Sequence, residues 1–487
     1  MTDARSAYPR LNANTRVPDS VSAPIAPPTP GIVHLGVGAF HRAHQAVYTQ
    51  DAIRATGDSR WGIVGVTQRS RRAVDELAPQ DYVYGVLTVD GDTSSLDLVG
   101  SIVEMLDPSQ QTPEVLHRIA DEDIHVVTIT ATEKAYKSHT DGSPNTSGIH
   151  SDLDALHAEA QGETLGSQPA TSMVGMLVRG LAARHRSHQA PITVLSCDNI
   201  SRNGHLLQRL VFDVANGHPD TDFARWLIDN VTFPDSMVDR IAPATTDAAR
   251  AEAAEIFGAW DEALVVAEPF RQWVIEDRFA GPRPPWHIAG ATFVEDVSPY
   301  EEMKLRMLNG THSILAYVGA SAGLVTIDQA VSDPRIVEYA TRYLTLEAIP
   351  SLRPPAGIDL PDYADTLLHR FANRRLNHTI EKVGADGSMK IPQRWVPVAL
   401  NRLRANEVPT AIAVGVAAWV RFIRLQGDRL ADPLHTELAQ LAQETRDDHT
   451  LVDQVLALRA VFPAELSDNA AFTTAVHNAL ADLPEQR

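Results

Sequence analysis

The chain has 487 residues, too many for one small module and enough for two large domains or about three of ordinary size. With 42 Lys and Arg against 62 Asp and Glu, the net charge is −20, which disfavours nucleic acid and anionic membrane as partners. A hydrophobic fraction of 44% can build substantial cores, and one cysteine, Cys197, allows neither an intrachain disulfide nor a zinc site needing two thiolates. Residues 1–30 carry Pro9, Pro18, Pro24, Pro27, Pro28 and Pro30 among small polar residues and lack a signal-like apolar segment, so they read as a flexible tail outside the fold of a cytoplasmic protein. From Gly31 to Leu35 a short β-branched run predicts a strand, followed by a glycine turn and a helix from Phe40 to Ala55. Further strands are expected at 61–66, 82–89, 124–130, 192–197 and 264–267, with helical patterns between several of them. This alternation predicts a doubly wound, mainly parallel α/β domain over residues 31–285. The proline-rich stretch 279–299 reads as a connection, and beyond it amphipathic patterns at 302–320, 334–346, 363–371, 410–425 and 447–461 predict an α-helical domain over 286–487.

Gly36-Val37-Gly38-Ala39-Phe40-His41 follows a strand and opens a helix, the setting in which a glycine turn lets backbone approach a dinucleotide pyrophosphate. His41 stands where the third glycine of that fingerprint would be, so a plain structural turn is the competing reading. At the end of the second strand, where an acid would bind the adenosine ribose of NAD, the chain has Arg69, Arg71 and Arg72. These are either a solvated helix start or, through Arg69 or its neighbours, tolerance of a 2′-phosphate, which leaves NAD and NADP both open.

The stretch from Pro299 to Ser313 holds the most chemistry. On an α-helix Asn309 lies about 140° and His312 about 80° from Lys304, so a lysine, an amide and an imidazole can project from one side. Oxidation of a secondary alcohol needs a base for the hydroxyl proton, donors for the developing alkoxide and a hydride acceptor, and these residue types suit the protein's share. Surface positions for Lys304 and Arg306, with His312 a satisfied helix histidine, are the plainer alternative. Glu301, three residues before Lys304, is either a proton relay to solvent or a helix-start acid favoured by the macrodipole.

Five segments together resemble the mannitol dehydrogenase family of polyol-specific long-chain dehydrogenases. They are Gly36 to His44, Thr132-Glu133-Lys134-Ala135-Tyr136, Ser196-Cys197-Asp198-Asn199, Val238-Asp239-Arg240-Ile241-Ala242-Pro243, and Lys304 to His312. The resemblance spans about residue 31 to about 480. It implies a Rossmann-type N-terminal domain, a mainly helical C-terminal domain, a cleft between them, and metal-independent hydride transfer between a nicotinamide cofactor and a polyol or ketose. It further implies that Lys304 is the general acid/base, that Asn199 and Asn309 hold the substrate oxygen, that His312 orients the reacting hydroxyl, and that Asp239 binds further hydroxyls. Gly36 to Arg42, Arg69, Glu133 and Lys134 fall to the cofactor, NAD first and NADP second, and Lys382 and Lys390 to the substrate. The family also contains fructuronate and tagaturonate reductases, and a hexuronate carboxylate would need a cation, for which Arg370, Arg374, Lys382, Lys390 and Arg394 are available. D-mannitol and D-fructose are the first expectation, a hexuronate the second, and a non-catalytic dinucleotide-binding regulator a distant third. A monomer is expected, as is common among such relatives.

Overall fold

The computed structural model describes residues 4–22, 27–68, 70–131 and 149–484. Two compact units, Met1–Ser298 and Pro299–Arg487, divide the chain. The first contains twelve strands among its described residues: β1 (Pro30–Leu35), β2 (Gly62–Val66), β3 (Tyr84–Asp90), β4 (Thr93–Val99), β5 (Ile102–Leu106), β6 (Val126–Ile129), β7 (Ile192–Ser196), β8 (Val231–Thr232), β9 (Ser236–Asp239), β10 (Val265–Ala267), β11 (Gln272–Glu276) and β12 (Thr292–Val294).

Six of these form one parallel sheet in the order β5-β2-β1-β6-β7-β8. β1 is central, with Leu35 level with Val66 of β2 and Ile129 of β6. Successive side chains feed opposite cores, as the two-residue period of a strand requires. Val33, Leu35, Val64, Val66, Val127 and Ile129 enter the core that includes the helix Met173–Ser187, while Ile32, Ile63 and Val126 enter the core that includes the helix Gln45–Thr56. Burial on both faces explains why these strands read as continuous apolar runs. The strand order reverses between β1 and β6, which makes the carboxyl ends of those strands the natural ligand position of such a sheet.

Three expectations need correction. The strands near 82–89 and 264–267 are real but leave the main sheet: β3 forms an antiparallel hairpin with β4 and pairs in parallel with β10. The stretch 286–298 stays with the first unit, because β12 pairs with β11 and β11 with β9. The N-terminal segment is partly docked: Leu11 is fully buried, its N–H donates to Trp260 O (2.9 Å), and Trp260 N–H donates to Pro9 O (2.7 Å). Leu11 and Val21 give this proline-rich stretch the apolar anchors that overall composition hides.

The second unit is helical throughout its described residues. Ser298–Met303 runs without a break through a π-helical turn, Lys304–Asn309, into the helix Gly310–Ser321. Pro334–Arg342 likewise continues into a π-turn, Tyr343–Ala348. The expected helix at 363–371 is Leu360–Phe371, that at 410–425 is Thr410–Gln426, and that at 447–461 is shorter, Asp448–Leu456. Gly310–Ser321 and Thr410–Gln426 are apolar almost all round and form the buried centre of the bundle.

Candidate active site

In the first unit the site begins where β1 stops. Gly36 has φ +98°, and a Cβ there would lie 2.1 Å from Thr130 O, so only glycine fits. Gly38 differs: its φ is −129°, extended backbone open to any residue, and an added Cβ would meet nothing nearer than Gly36 O at 3.9 Å. Neither strain nor internal packing requires glycine at 38. Open space beside an exposed main chain, leading into the helix Ala39–Ala43, fits the close approach of a pyrophosphate.

His41 accounts for the missing third glycine. Its ring stacks on His34 of β1, with centroids 3.4 Å apart and planes 12° apart, so an imidazole pair fills the place where that glycine would let helix and strand touch directly. His34 reaches Thr128 Oγ1 (2.8 Å) and Thr130 Oγ1 (3.0 Å), and burial lowers its pKa to about 3. His41 is fully buried and held well below the ordinary histidine range, first by burial and then by His34, Arg42 and His44. Both rings are therefore neutral. Arg42 turns inward, donating to Ala263 O (2.6 Å) and pairing with Glu76 (3.5 Å), so its side chain braces the domain, contrary to the expected cofactor contact. Arg71 and Arg72 pair with Asp75 (3.0 Å) and Glu76 (2.6 Å). Arg69, Glu133 and Lys134 lie outside the described residues.

The carboxyl end of β7 carries Asn199, exposed, and Asp198, buried. Asp198 accepts hydrogen bonds from Ala131 N–H and from Ser196 Oγ (3.2 Å). Asp239 closes β9 and is 6% exposed. The residue that ties these ends together was not anticipated: Asn203 donates to Asp198 O (2.9 Å) and Ser236 O (2.8 Å) and accepts from Ser236 N–H (3.0 Å). Arg240 donates to Glu268 O (3.0 Å) and to Ala43 O, fixing the chain beside Asp239.

In the second unit, the π-turn decides the geometry. Its following N–H, that of Gly310, reaches back five residues to Leu305 O. One residue is thereby absorbed, so Lys304 and Asn309 stand as i and i+4 would on an α-helix, about 40° apart, and Lys304 and His312 as i and i+7, about 20° apart. The three residues share one face more closely than the straight-helix reading gave. Lys304 and Asn309 are each 8% exposed. His312 stacks between Phe371 (4.8 Å) and His378 (5.4 Å), and its buried Nε2 has no hydrogen-bond partner among the described residues. Burial, followed by His378, Arg394, Lys390 and Arg370, pushes its pKa well below the ordinary value. A neutral imidazole with an orphaned buried nitrogen suits a substrate hydroxyl. Glu301 is half-buried in the turn before Lys304.

Of the expected cations, Lys382 is exposed on the helix Ile380–Gly384. Lys390 closes that helix, donating to Ala385 O (2.6 Å) and Val383 O (3.3 Å). Arg394 donates to Ser313 Oγ (2.8 Å) and Asn309 O (3.2 Å), and Arg370 is buried. Among the described residues, no group of three or more His, Cys, Asp or Glu side chains could hold a metal ion.

Two family models match the sequence, the mannitol dehydrogenase Rossmann domain over residues 30–288 and the mannitol dehydrogenase C-terminal domain over 296–484. The chain belongs to the mannitol dehydrogenase family. It is an oxidoreductase, with the Rossmann-type domain first and the helical domain second. D-mannonate oxidoreductase of Escherichia coli (strain K12) is 37% identical, the alignment covering 93% of each chain. Mannitol 2-dehydrogenase of Phaeosphaeria nodorum is 34% identical over 93% of this chain and 79% of that protein. The Pseudomonas fluorescens mannitol 2-dehydrogenase, solved as a ternary complex with NAD and D-mannitol, is 32% identical with a TM-score of 0.81, covering 97% of this chain and 96% of that one.

Proposed function

We propose that this family member is a metal-independent, NAD-dependent polyol dehydrogenase, acting as a cytoplasmic monomer, that interconverts a polyol and its ketose, D-mannitol and D-fructose first. The observation that carries this reading is the π-turn that aligns Lys304 and Asn309, followed by the unpartnered His312 nitrogen. Bound NAD supplies the hydride acceptor for oxidation and the donor for the reverse reaction. Gly36, Val37, Gly38, Ala39, Phe40 and the backbone of His41 would hold it, with Arg69, Glu133 and Lys134 retained from the resemblance.

In the oxidation direction Lys304, as the neutral amine, takes the hydroxyl proton. The carboxamides of Asn309 and Asn199 donate to the alkoxide as it develops, stabilising charge without titrating themselves. His312 orients the reacting hydroxyl through Nε2, Asp239 accepts from further hydroxyls, and Glu301 passes the proton between Lys304 and solvent. A neutral substrate agrees with the engagement of Lys390 and Arg394 by backbone carbonyls, which leaves Lys382 as the exposed lysine of the substrate set. No helix among the described residues is long and apolar enough to cross a membrane.

A hexuronate is the second reading. It is favoured by the positive surroundings of His312, which include Arg394, Lys390 and Arg370, and by the similarity to D-mannonate oxidoreductase. Initial rates with mannitol, arabinitol, sorbitol, fructose and fructuronate, each with NAD(H) and NADP(H), separate the two. Efficient mannitol oxidation that survives EDTA dialysis is the expected outcome. Rapid fructuronate reduction with negligible turnover of every polyol replaces it with the second reading, and activity lost to EDTA and restored by a divalent ion removes the metal-independent mechanism.

A further inference from the structure

An α-helical register would give the Gly310 N–H to the carbonyl four residues back, that of Arg306. In this chain it donates instead to Leu305 O and Met307 O, which leaves Arg306 O without its helical donor. That oxygen accepts from the hydroxyl of Tyr343 at 2.6 Å. Tyr343 is fully buried and opens the second π-turn. Its hydroxyl lies so close to the main chain that a Cβ on Gly310 would sit 2.1 Å from it, so glycine at 310 admits the phenol where the π-turn passes into the α-helix.

Neighbouring carbonyls are held in the same way. Arg394 Nη1 donates to Asn309 O (3.2 Å) and Trp395 Nε1 to Gly310 O (3.1 Å). The segment bearing Tyr343 is anchored in turn: Glu347 accepts from Ala411 N–H (2.6 Å) and Ile412 N–H (3.0 Å) at the start of the helix Thr410–Gln426.

We propose that Tyr343 is a positioning residue for the dehydrogenation, its hydroxyl occupying Arg306 O and so keeping Lys304 and Asn309 in the five-residue register that puts them on one face. This rests on the reading of Lys304 as base and Asn309 as alkoxide donor. Without the hydroxyl, Arg306 O recaptures the Gly310 N–H, the segment tightens to α-helix, and Asn309 swings from about 40° to about 140° from Lys304. Tyr343 acts through the main chain alone and touches neither substrate nor cofactor.

The test is Tyr343→Phe, which removes one oxygen and keeps the ring, measured beside Lys304→Ala. The expected result is a loss of kcat of roughly 10- to 100-fold with a much smaller change in KM. NAD affinity should be unchanged, and hydrogen exchange should be altered in the peptide covering 304–310 but not in the helix Thr410–Gln426. Wild-type kcat and exchange in Tyr343→Phe overturn the proposal. So does a failure to fold, or faster exchange throughout the second unit, because either assigns the hydroxyl to general stability. If Lys304→Ala keeps its activity, the proposed function itself fails, whatever Tyr343→Phe does.

Discussion

Lys304 and His312 show how a single side chain's setting determines its use. Removing a general base commonly costs about 10² to 10⁴ in rate, and Lys304→Ala is expected to lose kcat in that range while a fluorescence titration returns wild-type NAD affinity. Retention of more than about a third of wild-type kcat would remove the lysine from the chemistry. His312 is held neutral by burial and by the cations around it, and His378 beside it, also lowered mainly by burial, has a pKa of about 4. Both rings are therefore uncharged at neutral pH. None of this was visible in residue spacing, which allowed His312 to be an ordinary satisfied helix histidine; its stacking partners come from segments some 60 residues further along the chain.

At the scale of elements, the two glycines of the turn separate stability from binding. Gly36→Ala meets both a positive φ and a carbonyl at 2.1 Å, so its melting temperature should fall by several degrees. Gly38→Ala meets open space and an ordinary backbone, so it should melt like wild type yet bind NAD about tenfold or more weakly, the methyl standing where phosphate approaches. Equal effects of the two in calorimetry and in NAD titration would contradict this division. The turn, β1 and its neighbours were legible in the sequence because strands buried on both faces leave unbroken apolar runs bounded by glycine. β3 was legible as a strand but not as a member of another sheet, since pairing is decided by partners distant in sequence. The π-turn left no periodic signal: Lys304 and Asn309 were identified from residue type, and their true register depends on Tyr343, outside any local window.

For the whole molecule, acid should be the weak direction. His34 and His44 are buried with pKa values of about 3, against about 6.5 in an unfolded chain. The folded state thus binds fewer protons than the unfolded one between those limits, so the stability they allow is complete above about pH 6.5 and lost as pH falls toward 3, at about 1.4 kcal/mol per pH unit for each. Asp261, raised to about 6, and Glu347, raised to about 7, both mainly by burial, act in the opposite sense, but they are two groups against the pair together with His41, His312 and His378, which are shifted the same way as the pair. The melting temperature should therefore fall steadily from pH 6.5 to pH 5, and a flat or rising profile in that interval would show that these rings are not kept neutral.

The burial of Cys197, 1% exposed with its thiol pushed well above the usual range by desolvation, also makes the chain a ready subject for site-directed labelling. A maleimide dye has no accessible thiolate to attack in the folded protein. One cysteine introduced at Ile228, 69% exposed in the first unit, and another at Val325, 63% exposed in the second, would then be the two reactive positions. A donor and an acceptor attached there would let single-molecule fluorescence follow the spacing of the two units through a catalytic cycle, with no native cysteine to delete.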